Sequence, residues 1–77
     1  MKNVIQERLD QYGRQQKDIL LWFEDNGRKV TQSHLNRVVK GEQPPTAWMI
    51  FGIAKFFGKQ VEDIFFPSNH DIFGGKE

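Results

Sequence analysis

The chain has 77 residues, of which 38% are hydrophobic, 27% charged and none cysteine. That length limits it to one small domain and leaves no room for a Rossmann domain, a barrel or a two-domain cleft. The lack of cysteine excludes a disulfide scaffold and a thiolate zinc site, and favours a reducing compartment. No apolar run approaches the roughly 18 residues of a membrane helix, and the N-terminal MKNVIQERLD shows no signal-like apolar stretch. The net charge of +1 hides a strong asymmetry. Residues 28–59 carry Arg28, Lys29, Arg37, Lys40, Lys55 and Lys59 against Glu42 alone, whereas both flanks are net acidic. A basic middle between acidic flanks points to a polyanion partner.

In chain order, the first predicted helix runs from Asn3, a good N-cap, to Tyr12, with Ile5, Leu9 and Tyr12 at helical spacing and Gly13 as its stop. A second starts near Gln15–Gln16, with Asp18 in its first turn, Ile19, Leu20 and Phe23 facing inward, and Asn26-Gly27 ending it. Thr31 caps a third over Gln32 to Val39, with Leu35, Val38 and Val39 as its apolar face and Gly41 as its end. Pro44-Pro45 forces an extended connection. Thr46 caps a dense apolar fourth helix, Ala47 to Phe57, closed by Gly58. A short fifth spans Gln60 to Phe65 or Phe66, and Pro67 closes the ordered part. Strand character is confined to Val38-Val39 and Ile64-Phe65-Phe66, neither in an alternating run. The expectation is an all-α domain of five helices over 1–66, followed by a polar tail, 67–77, that is mobile or takes part in packing.

Gln16, Ile19, Leu20, Val30, Leu35, Arg37, Val38 and Gly41 fall into an order that resembles the Cro-type phage repressors, also called the xenobiotic-response-element family. The best-matching stretch is Val30 to Phe65. VTQSHLNRVVKG is similar to the family's recognition helix, and PPTAWMIFGIAKFFGKQVEDIF to its fourth and fifth helices. Gln16 stands at the family's helix-2 Gln, Thr46 at its Ser cap and Ile53-Ala54-Lys55 at its Ile-Ala-Lys. The resemblance covers about 60 of the 77 residues. One departure is the stretch KDILLWFEDNGRK between Gln16 and Val30, which is longer than the family carries. The resemblance implies a five-helix, lambda-repressor-like helix-turn-helix domain with an extended helix 2 and turn. It further implies a cytoplasmic, nucleoid-associated regulator of bacterial or phage origin, acting as a repressor. No cofactor, membrane or small-molecule ligand is expected.

The residues make the same case physically. A major groove admits an α-helix, whose N-terminal residues reach base edges. Gln32 and Ser33 open the third predicted helix, and Asn36 and Arg37 continue its polar face. Gln pairs bidentately with adenine and Arg with guanine. Arg28, Lys29, His34 and Lys40 flank that face and Gln16 opens the helix before it, all as candidate phosphate ligands; Gln43 is a weaker one. Each has a plainer reading as ordinary solvated surface, and Lys55 and Lys59 fit solvent charges better than phosphate ligands. Trp48, Gly52 and Phe56 recur at i, i+4 and i+8 on a helix whose core face is assigned to Ile50, Ile53, Ala54 and Phe57. Either this stripe completes a larger core with Trp22, Phe23 or Phe73, or Trp48, Met49 and Phe56 form a partner surface for a homodimer.

Enzyme readings fail on inventory. The histidines are His34 and His70 only, with no metal-binding spacing. Ser68, His70 and Asp71 cluster in sequence, but a mobile tail cannot preorganise a triad. Gly74-Gly75 lacks the strand and helix of a phosphate loop. The leading expectation is a DNA-binding regulator that works as a homodimer on a near-palindromic operator, with half-sites about 34 Å apart. The alternative is a protein-interaction module of the same fold, an antitoxin or regulator-binding protein, using the Trp48/Phe56 face.

Overall fold

In the computed structural model, residues 2–66 are described; Met1 and the tail, 67–77, with its Ser68, His70, Asp71 and Phe73, lie outside them. The described residues form β1 (Lys2–Asn3), α1 (Ile5–Tyr12), α2 (Gln16–Asp25), α3 (Gln32–Val39), α4 (Ala47–Phe57), α5 (Val61–Ile64) and β2 (Phe65–Phe66). None of these helices is long and apolar enough to cross a membrane.

The helix limits follow from local chemistry. Thr31 Oγ1 accepts from the His34 backbone N–H (3.1 Å) and Thr46 Oγ1 from that of Met49 (3.4 Å), so both threonines take up donors left free at a helix start. Asp18 reaches back to accept from the Gln15 N–H (2.8 Å), as Asp63 does from Gln60 (3.2 Å). Gly13 and Gly58 end α1 and α4 at φ 67° and 68°, the left-handed conformation that glycine adopts without a Cβ penalty.

The chain closes on itself through the two-residue strands. β1 and β2 pair antiparallel, Lys2 opposite Phe66 and Asn3 opposite Phe65. The fifth helix therefore ends at Ile64, and Phe65 turns extended (φ −112°, ψ 136°) instead of continuing it. Asn3 sits in β1 and Val4 takes the N-cap position of α1. Asn3 still serves that helix, because its Oδ1 accepts from the Ile5 N–H at 3.0 Å. Its Nδ2 donates to the Val38 carbonyl, also at 3.0 Å, which ties the start of the chain to α3.

Each of the first four helices sends two or three side chains to one core, and α5 sends one. Ile5 and Leu9 come from α1, Ile19 and Phe23 from α2, Leu35 and Val38 from α3, and Met49, Ile53 and Ala54 from α4; Val30, Ile64 and Phe65 complete it. Leu20 and Val39, both expected inside, are half-buried at its edge, and Tyr12 is 43% exposed. α4 is rotated relative to the face expected of it. Met49 is fully buried, while Ile50 and Phe57 are only half-buried. The cause is Gly52: a Cβ there would lie 2.7 Å from Phe23 Cζ and 3.3 Å from Trp22 Cζ3. Without a side chain at 52, α2 packs close against α4, and Trp48 and Phe56 turn toward it.

Candidate nucleic-acid interface

α3 carries a divided surface. Leu35 and Val38 are buried, while Gln32, Ser33 and Arg37 are exposed and Asn36 is half-buried. The four candidate base-reading residues therefore share the outward side of one helix, held by the two that point in. Positions 33 and 37 are one turn apart, so their side chains are neighbours.

The candidate phosphate ligands do not all stand in the same way. Arg28, Lys29 and Lys40 are exposed; Arg28 and Lys29 lie in the connection from α2 to α3, and Lys40 caps the C-terminus of α3. The Arg28 guanidinium lies over the Trp48 ring, 4.8 Å from its centroid. That cation–π contact gives a long cationic side chain a platform beside the connection. Gln43 is half-buried in the loop that follows α3. His34 does not fit its assignment: it is half-buried, and its Nε2 is closed off from solvent with no partner among the described residues. That nitrogen is not offered to a phosphate.

Gln16, the first residue of α2, meets Gln32, the first residue of α3. Gln32 Nε2 donates to Gln16 Oε1 at 2.6 Å. Gln16 Nε2 in turn donates to Gln6 Oε1 on α1 at 3.2 Å. Gln6 Nε2 donates to Asp10 Oδ1, one turn further along α1, at 3.1 Å. Four side chains on three helices thus form one continuous hydrogen-bonded line that ends at the tip of α3. Gln6 and Asp10 were not among the residues singled out from sequence. Their i, i+4 spacing is visible there, but the link to Gln16 crosses ten residues and two helices.

The proposed partner surface is corrected. Met49 is 0% exposed and belongs to the core. Trp48 and Phe56 are half-buried and engaged edge-on with α2, Trp48 with Phe23 at 5.5 Å between centroids and Phe56 with Trp22 at 6.4 Å. The stripe completes a larger core with Trp22 and Phe23. Among the described residues, the large apolar side chains that remain outside are Phe51 (66% exposed) and Leu21 (55%), together with Tyr12 and Phe66.

No protein-family model, curated protein or solved structure matches the chain.

Proposed function

We propose that the protein is a sequence-specific DNA-binding transcriptional regulator, a repressor of helix-turn-helix type that lays α3 in the major groove. The observation that carries this reading is the outward face of α3, where Gln32, Ser33 and Arg37 stand exposed over a buried Leu35 and Val38. Those are side chains that pair with adenine and guanine edges. Arg28, Lys29 and Lys40 flank that face and supply the charge that holds phosphates and fixes register. The contact between Gln16 and Gln32 supports it further, since it brings the starts of α2 and α3 together as one unit. One such helix contacts only a few bases, so two copies on a near-palindromic site supply the missing specificity.

The test is binding to duplex DNA as a function of salt. Each phosphate neutralised contributes a slope of about −0.9 in log affinity against log salt, so Arg28, Lys29 and Lys40 together give about −3 for each copy bound and about twice that for two copies. Binding that ignores salt, or equal affinity for a selected and a scrambled duplex, contradicts the proposal. The protein-interaction alternative rested on a Trp48/Phe56 surface; both side chains pack edge-on against α2 and are half-buried, which leaves less of that surface for a partner.

A further inference from the structure

The line of side chains behind Gln32 has a direction, and one residue sets it. A glutamine amide presents an oxygen that accepts and a nitrogen that donates, and nothing in an isolated side chain decides which faces a neighbour. An aspartate carboxylate only accepts. Asp10 Oδ1 therefore requires the Gln6 nitrogen at 3.1 Å, which leaves Gln6 Oε1 for the Gln16 nitrogen at 3.2 Å. Gln16 is then left with Oε1 toward α3, and it takes the Gln32 nitrogen at 2.6 Å. Reversing the line places Gln6 Oε1 against the Asp10 carboxylate, two acceptors with no proton between them.

The polarity matters at the free end. Gln32 spends one N–H on Gln16 and keeps its second N–H and its Oε1. That donor–acceptor pair complements adenine, whose major-groove edge carries an acceptor at N7 and a donor at N6. In the reversed arrangement Gln32 accepts with Oε1 and presents two N–H groups. Two donors complement guanine, whose edge carries acceptors at N7 and O6.

We propose that Asp10 is a specificity-determining positioning residue: through Gln6 and Gln16 it fixes the Gln32 amide in the orientation that favours adenine over guanine. The inference rests on the reading of α3 as a DNA-reading helix. Asp10 itself touches no base; it lies on α1, exposed, at the far end of the line.

Asp10→Asn tests it, because asparagine keeps the shape and offers either a donor or an acceptor. Asp25→Asn, an exposed carboxylate outside the line, controls for the lost charge. The probes are the duplex recovered by selection and its single A·T-to-G·C replacements at each position. Asp10→Asn is expected to reduce the preference for A·T about tenfold at one position only, with an unchanged salt slope, while Asp25→Asn leaves every preference as it was. Unchanged preferences, or an equal loss at all positions, overturn the proposal. A second readout needs no DNA: the side-chain amide resonances of Gln6, Gln16 and Gln32 in the free protein. All three shift in Asp10→Asn if the line exists, and a Gln32 amide that does not respond overturns it. A wild-type protein that binds all duplexes equally overturns the adenine preference together with the reading of α3, and the amide resonances then still decide the line itself.

Discussion

Arg37 and Lys40 are both exposed cations at the end of α3, yet they are expected to behave differently when removed. Arg37 shares the outward face with Ser33, where the proposed function assigns its guanidinium to a guanine edge, a bidentate pairing. Lys40 caps the helix as a point charge suited to a phosphate. Arg37→Ala should therefore cost about 1–3 kcal/mol on the preferred site and relax preference at one base pair. Lys40→Ala should weaken binding to every duplex alike and flatten the salt slope by about 1. Gel shifts on matched and mismatched duplexes separate the two. Most of the outward face of α3 was legible, because the i, i+3 spacing of Leu35 and Val38 sets which side an eight-residue helix buries; Asn36 and Val39, expected outside and inside, are both half-buried. His34 was not, since the burial of its Nε2 depends on what packs over it rather than on its place in the helix.

Among the elements, the limits of α3 and α4 match expectation because their caps are local. Thr31 and Thr46 act three residues along the chain, within reach of any sequence reading. The rotation of α4 was not legible. Trp48, Met49, Ile50, Ile53, Ala54, Phe56 and Phe57 leave few polar positions on that helix, so periodicity alone does not select a buried side. The neighbour selects it: α2 approaches at Gly52, where the Phe23 ring fills the space of a side chain. Gly52→Ala tests this account. Helix propensity favours alanine there by about 1 kcal/mol, whereas displacing the buried Phe23 ring costs about 1–3 kcal/mol. The variant is expected to be less stable by about 1 kcal/mol in chemical denaturation. A stabilised Gly52→Ala contradicts the close packing of α2 on α4.

For the whole molecule, the all-α character could be read from the chain, and its closure could not. The pairing of Lys2–Asn3 with Phe65–Phe66 joins residues more than 60 positions apart; Ile64-Phe65-Phe66 has strand character, but no local pattern points to its partner at the start of the chain. That closure, with Asn3 bonded to the Val38 carbonyl, anchors the base of α3 to both ends of the described chain. The line from Asp10 to Gln32 holds the other end of the same helix against α1 and α2. α3 is thus tied to its neighbours at both ends within a small domain, which suits the proposed reading of bases by precise contacts. Selection of bound sequences from a pool of random duplexes tests that claim most directly. A near-palindromic consensus with half-sites about 34 Å apart is predicted, each half containing an A·T pair beneath Gln32 and a G·C pair beneath Arg37. Recovery of no consensus at moderate salt would contradict it.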